Sequence, residues 1–449
     1  MFPFSWFSRR KSAPPPPVGF DFPAAAALMA RRINGDIPRT TGEGGGILIP
    51  ILPWRLTAVP FFSLEIGLAL ASTGAEVRFL GHSPDLPFHR HDHYSSEQQI
   101  LRRLLKSLGE GFQVEHIDGA GGDESLSDDM LELWTNENAV WLNRSETVAY
   151  GTTVEEEAVE GMGREYARVH DFLYRNRPEM LFLPGGVMGG SVCYVEACRR
   201  LGIPFATYDS GRGEIKLCIG GVAAHNDDLP EAFRFFSQRP EEEQSRFCAL
   251  AEDWIARRRQ GEDDHALQLQ NTPPFPRKDF LLLCLNYRAD SAAIMRQKLF
   301  PTVNAWLFAT ARWAVENRVE LVVRQHPCER LERWRGNDDW TLVLRDADPS
   351  GEFVHFISAY DPVNTYELIE RAAAVLPFTS RVGVEGAMLG RPVITSTRAF
   401  YANLGFTHDP ADADEYFSLL KSASRGELAI SPEQRKAAAL AYFAISEHT

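Results

Sequence analysis

No CxxC pair occurs among the six cysteines, Cys193, Cys198, Cys218, Cys248, Cys284 and Cys328, and four of them stand inside apolar or helical runs. That usage points to buried free thiols in a reducing compartment and away from a disulfide framework. No run approaches the roughly 18 to 20 apolar residues that span a bilayer. Positive charge is also short, 47 Lys and Arg against 61 Asp and Glu for a net charge of -14. A general nucleic-acid binder needs cations to displace counterions from phosphates, so that class is excluded, although a local basic phosphate pocket is not. Internal repeats are absent as well. What is there, 44% hydrophobic and 24% charged residues over 449 positions, suits a soluble globular enzyme too long for one compact core.

The first residues are unusual. Met1-Phe2-Pro3-Phe4-Ser5-Trp6-Phe7 is aromatic, Arg9-Arg10-Lys11 is basic, and 14–17 is a proline run. Residues 1–43 read as a flexible leader. Its apolar part is too short for a signal peptide, but residues 1–11 could place aromatics in a lipid headgroup layer beside three cations. The expected location is therefore cytoplasmic, with peripheral contact at the inner face of the membrane.

Strand and helix signals then alternate. Apolar runs at 46–52, 76–80, 180–184 and 202–207 read as strands, with helical spacing over 61–73, 98–108, 154–176 and 191–201 between them. A charged helix follows at 241–260. Three prolines in four residues, Pro273, Pro274 and Pro276, fit neither a helix interior nor a central strand, which sets the domain boundary there. A second series has strands at 280–285, 319–323, 340–344 and 374–378, with a further one opening at 392, and helices at 292–317, 365–373, 380–389 and 431–446. The pattern predicts two α/β domains, 44–270 and 277–449, both Rossmann-like and facing across a cleft.

Two strand ends in the second series carry chemistry-bearing groups. Arg324-Gln325-His326-Pro327 closes the run 319–323, and Pro327 ends the ladder so that His326 stands at its tip. A histidine there can donate to a phosphate oxygen as charge develops, and Arg324 could add charge to the same oxygens. Thr379-Ser380-Arg381-Val382-Gly383-Val384-Glu385-Gly386 closes the run 373–378 and opens a helix. A hydroxyl at a helix start caps backbone N–H groups, and those N–H groups favour an anion. Gly383 lets a ligand or a neighbouring strand come close, and Glu385 could accept from two ribose hydroxyls. Ligands of open α/β sheets bind outside the carboxyl ends of the strands, so the two pieces together suggest a nucleotide-sugar site. The plainer alternative makes Ser380 a helix cap, Gly383 a packing residue and Glu385 a solvated one.

These pieces, with Gly390-Arg391-Pro392-Val393 and 399–407 (Ala-Phe-Tyr-Ala-Asn-Leu-Gly-Phe-Thr), resemble the bacterial capsule polysaccharide biosynthesis proteins, which include the β-Kdo transferases of capsule assembly. The resemblance covers about residues 280–410. It departs at Thr379, Gly386 and Ala399, where the family pattern has Ser, Ala and Pro. It implies a metal-independent glycosyltransferase of the GT-B fold, with no cofactor, whose donor is a CMP-linked acidic sugar such as CMP-Kdo. His326 and Ser380 would hold the donor phosphate with Thr379 assisting, Glu385 would lie near the ribose, and a glycan or glycolipid would accept the sugar. Other readings are a UDP-sugar or CDP-glycerol-type transferase, a nucleotide-sugar epimerase, and a catalytically silent glycan-binding scaffold.

The first domain should bind the acceptor. Asp209 and Glu214, in the stretch 208–214 after the strand ending near Thr207, are candidates for a base or nucleophile, and Arg212 for an acidic group of the acceptor. Gly185 and Gly186 could approach a ligand or make a tight turn. His89, His91 and His93 alternate as metal ligands on a strand would, but the neighbouring Pro84 and Pro87 favour a loop, and no metal is expected.

Overall fold

A computed structural model describes residues 45–54, 57–82, 84, 86, 94–108, 111–117, 121–146, 153–210, 215–260 and 277–447. Among them, 45–138 and 153–224 form one compact unit, and 139–146 and 225–447 form a second.

The first unit runs β1 (Ile47–Ile51), α1 (Val59–Ser72), β2 (Val77–Gly81), α2 (Tyr94–Leu108), β3 (Gln113–His116), α3 (Asp128–Asn143, whose last residues belong to the second unit), α4 (Thr153–Asn176), β4 (Met180–Pro184), α5 (Ser191–Leu201), β5 (Phe205–Ser210) and β6 (Ile215–Ile219). The sheet order is β3-β2-β1-β4-β5-β6. The pairs from β3 to β5 are parallel, which explains why β1, β2 and β4 are near-continuous apolar runs rather than alternating ones. Ile49, Phe61, Leu68, Phe79 and Leu105 fill the layer between this sheet and helices α1 and α2. The chain adds β2 and β3 on one side of β1 and then returns to lay β4 on the other. The topological switch point of this unit therefore lies between β1 and β4.

The second unit runs α6 (Leu229–Ser237), α7 (Glu241–Arg259), β7 (Phe280–Cys284), α8 (Val303–Asn317), β8 (Leu321–Arg324), α9 (Trp340–Ala347), β9 (Val354–Ile357), α10 (Thr365–Arg371), β10 (Ala372–Pro377), α11 (Val382–Met388), α12 (Ala413–Ser424) and α13 (Pro432–Glu447). Its parallel sheet has the order β10-β7-β8-β9, which puts the switch point between β7 and β10. Residues 139–146 are bound to this unit by Glu146. Its carboxylate accepts the N–H groups of Val303 and Asn304, each at 2.8 Å, at the start of α8, and pairs with the buried Arg288 guanidinium at 2.9 Å. The fold class is thus α/β, two Rossmann-like units each built on a mostly parallel sheet, as the sequence pattern predicts.

Three local expectations are corrected. The run 340–344 is not a strand but the start of α9. Asp339 caps it by accepting the N–H of Thr341 at 3.0 Å, and Trp340, Leu344 and Ala347 are buried at helical spacing. The strand of that region is β9. The helix expected over 292–317 begins only at Val303, where the Thr302 hydroxyl accepts the N–H of Ala305. The strand expected to end near Thr207 continues to Ser210 and pairs antiparallel with β6, so Asp209 is a strand residue opposite Lys216.

The division between the units differs from the expected domain boundary. Helices α6 and α7 pack on α13 through Phe236, Phe247 and Trp254, whose rings lie 5.1, 4.4 and 5.8 Å from that of Phe443. The chain has therefore entered the second unit before the proline cluster, which lies outside the described residues, as does the leader 1–43. Among the described residues no helix is long and apolar enough to cross a membrane.

Candidate functional site

Three strand ends meet at the carboxyl edge of the second sheet. β8 delivers His326, β10 delivers Thr379 and Ser380, and β7, between them, delivers Asn286 and Tyr287. Asn286 and Thr379 hold each other reciprocally across the switch point. The Asn286 Nδ2 donates to the Thr379 hydroxyl at 3.0 Å, and the Thr379 N–H donates to the Asn286 Oδ1 at 3.1 Å. Both residues are buried, so the Thr379 hydroxyl fixes the loop rather than standing open to a ligand. On the other side the Tyr287 ring meets His326 edge to face at 5.4 Å and leans on Trp334 at 5.2 Å. One dipeptide just beyond β7 thus touches both halves of the expected phosphate site.

His326 opens a short 3-10 turn, Pro327–Arg330, and its Nδ1 accepts the N–H of Cys328 at 3.2 Å. A neutral imidazole that accepts at Nδ1 carries its proton on Nε2. That tautomer makes Nε2 the donor that a phosphate oxygen needs. The preceding residue anchors the turn. Gln325 accepts the N–H of Ala359 at 2.9 Å and donates to the Glu329 carboxylate at 3.0 Å. Burial pushes the Glu329 carboxyl above its ordinary range, against hydrogen bonds from Gln325 and the Gly336 N–H that pull the other way.

Ser380 is half-buried, with its hydroxyl 3.4 Å from the Val382 N–H, a long contact. The helix after it, α11, has only 7 residues and starts two positions later than expected. An anion at this end would therefore rest on the Ser380 hydroxyl more than on a helix dipole. The Ser380 carbonyl accepts the Tyr401 hydroxyl at 2.8 Å. Tyr401 is fully buried and passes so close to Gly383 that a Cβ there would lie 2.3 Å from its hydroxyl. Gly383 thus makes room for the Tyr401 side chain instead of a ligand, and the 399–407 segment braces the Ser380 loop from behind.

Two residues expected at the donor have partners within the second unit. Arg324 is buried, and its guanidinium donates to the Ser358 carbonyl and, at 3.2 Å, to the Val363 carbonyl. Burial pushes its pKa down to about 10, which still leaves it charged. It ties β8 to the loop after β9. Glu385 is also buried, and it pairs with Arg258 of α7 at 3.1 Å rather than lying solvated or turned to a ribose.

In the first unit, Gly185 and Gly186 follow β4 with φ of 67° and 88°, values that favour glycine. The Gly185 N–H donates to the Tyr208 carbonyl at 2.8 Å and that of Gly186 to the Pro184 carbonyl at 2.8 Å, which makes this a tight turn at the switch point. Asp209 stands one strand away, on β5 beside β4. Arg212, Glu214 and the histidines at 89, 91 and 93 lie outside the described residues. Among the described residues no group of three or more His, Cys, Asp or Glu side chains is arranged to hold a metal ion.

Sequence reasoning missed Asn286, Tyr287 and Gln325. Asn286 and Tyr287 follow the strand 280–284 as directly as His326 follows β8, and that position was the available signal. It also missed a buried trio in the first unit. His82 follows β2 with its Nε2 3.0 Å from the Glu165 carboxylate and its Nδ1 2.7 Å from the Tyr194 hydroxyl.

Residues 241–427 match the family described as capsule polysaccharide biosynthesis protein. No curated relative matches the sequence. Among solved structures, the β-Kdo 2,7 transferase of Thermosulfurimonas dismutans KpsC is 16% identical over 61% of this chain and 79% of that one, with a TM-score of 0.35. The β-Kdo 2,4 transferase of the same protein is 16% identical over 58% of this chain and 79% of that one, TM-score 0.37. A UDP-GlcNAc 2-epimerase from Neisseria meningitidis, bound to UDP-GlcNAc, is 10% identical over 89% of this chain and 98% of that one, TM-score 0.30. Likenesses this distant carry no functional weight.

Proposed function

We propose that this chain, whose residues 241–427 match the capsule polysaccharide biosynthesis protein family, is a glycosyltransferase of surface-polysaccharide assembly that takes a CMP-linked acidic sugar such as CMP-Kdo. The observation that carries the reading is the meeting of His326, Ser380 and the Asn286-Tyr287 dipeptide at the carboxyl ends of β7, β8 and β10. In this reading the His326 Nε2–H and the Ser380 hydroxyl donate to the donor phosphate. As the glycosidic bond to the leaving phosphate breaks, charge builds on its oxygens, and donors fixed beforehand stabilise it without reorganising. Thr379 and Arg324 act by holding the loops that present these groups. In this reading the fixed His326 and Ser380 donors serve the single phosphate, and the reaction needs no metal.

Catalysis by Asp209 or Glu214 in the first unit, with Arg212 and the Gly185-Gly186 turn binding a glycan acceptor, completes the proposal. The protein would work in the cytoplasm, at the membrane face if residues 1–11 engage lipid.

Donor trials test it. Purified protein should release CMP from CMP-Kdo or CMP-sialate, faster with a glycan acceptor present, in buffer containing EDTA. Turnover of a UDP-sugar without acceptor, and none of a CMP-sugar, would replace the reading with an epimerase.

A further inference from the structure

The two units have the same switch-point topology, but what stands at each crevice differs. In the second unit it is flanked by hydrogen-bonding groups. In the first, between β1 and β4, it is flanked by an aromatic. Trp54, three residues beyond β1, is half-buried, and its backbone N–H donates to the fully buried Glu97 carboxylate at 2.9 Å. Its indole lies against the turn after β4. A Cβ on Gly185 would be 3.7 Å from the indole Cη2 and 4.0 Å from Cζ2, ordinary van der Waals contact.

The turn itself is held rigidly. The Gly186 N–H donates to the Ser191 hydroxyl at 3.2 Å, that hydroxyl donates to the Met188 carbonyl at 2.5 Å, and the Gly189 N–H donates to Asn138 at 2.7 Å. A rigid turn with no side chain, beside a partly accessible indole whose backbone is anchored, is a preorganised flat platform.

We infer that Trp54 and the Gly185-Gly186 turn form a stacking subsite for a pyranose ring of a glycan, the acceptor if the transferase reading holds. One face of a pyranose presents axial C–H groups, which are apolar and weakly positive. The indole face is apolar and weakly negative, so the two stack, while hydroxyls at the ring edge stay free for neighbouring polar groups. A charged donor phosphate has no such match with an indole face.

The test does not depend on turnover. Full-length protein is screened on a printed array of defined bacterial oligosaccharides, and the strongest binder is titrated calorimetrically into wild type, Trp54→Phe and Trp54→Ala. Truncation to Ala should weaken glycan binding about tenfold, the scale of one lost aromatic contact, while Phe keeps most of the affinity. CMP affinity, measured on the same samples, should not change. Equal glycan affinity in Trp54→Ala, loss of CMP affinity instead, or no glycan bound by the wild type overturns the inference. Failure of the transferase reading would be seen separately, as Trp54-dependent glycan binding without turnover of any CMP-sugar.

Discussion

Removal of the His326 imidazole probes the phosphate site most sharply, because its two nitrogens have separable roles. The Nδ1 accepts the Cys328 N–H at 3.2 Å and so caps the turn Pro327–Arg330, while the Nε2–H is the donor that the proposal assigns to the phosphate. His326→Ala removes both. His326→Asn keeps an acceptor near the Nδ1 position but lacks a donor at the reach of Nε2. Loss of one fixed donor to developing charge costs about 3 kcal/mol, or a hundred- to a thousandfold in kcat. Loss of a cap costs about 1 kcal/mol of stability. Both variants should therefore fall by at least about a hundredfold in CMP-sugar turnover, and only His326→Ala should also lose about 1 kcal/mol in urea unfolding. Steady-state release of CMP and urea titration on the same preparations give both readings. Restoration of turnover by His326→Asn would refute the reasoning, because the cap and not the Nε2–H would then matter. A near-normal rate in both would remove His326 from the site.

Tyr401→Phe deletes the O–H that serves the Ser380 carbonyl. It should cost about 1 kcal/mol in stability and raise the donor KM several-fold. Gly383→Ala, whose Cβ would sit 2.3 Å from the same hydroxyl, should destabilise by about 1–3 kcal/mol and impair donor binding more than Tyr401→Phe does. For the buried Arg258–Glu385 pair, Arg258→Met alone should cost about 3–5 kcal/mol by stranding a carboxylate, and adding Glu385→Gln should recover much of it. Simple additivity in that double-mutant cycle would mean the pair is not coupled. At Asp348, burial pushes the carboxyl up, but hydrogen bonds from Ser350 and the N–H groups of Phe353, Val354 and Gly351 outweigh it and hold the pKa below the ordinary 3.8. A depressed folded pKa gives stability that is present above the unfolded value and lost as pH falls through the folded one. Unfolding free energy should therefore decline as pH falls below about 4 more steeply in wild type than in Asp348→Asn. Parallel acid profiles would contradict it.

The parallel strands and the long helices were readable because parallel sheets bury both faces and leave unbroken apolar runs such as Phe280–Cys284, while amphipathic helices such as Thr153–Asn176 show helical spacing. Trp340–Ala347 was misread because a short apolar stretch fits a strand as well as a helix. Only the Asp339 cap distinguishes them locally. The strand ends bearing His326 and Ser380 were visible from sequence, but not which side chains turn inward. Arg324 and Glu385 look like ligands for a phosphate and a ribose when read along the chain. Their partners, the Ser358 and Val363 carbonyls and Arg258, are brought to them only by the fold. Gly383 likewise needed Tyr401, 18 residues onward, before its small size had a reason.

The central claim, a phosphate site selective for a cytidine nucleotide at the ends of β7, β8 and β10, is tested most directly by thermal shift with CMP, CDP, UDP and GDP on wild type and His326→Asn. At a hundredfold excess over Kd a ligand stabilises by about 2.7 kcal/mol, a readily measured rise in Tm. CMP should give the largest rise in wild type and little in His326→Asn. Stabilisation by UDP or GDP alone, or an equal CMP shift in both proteins, would contradict it.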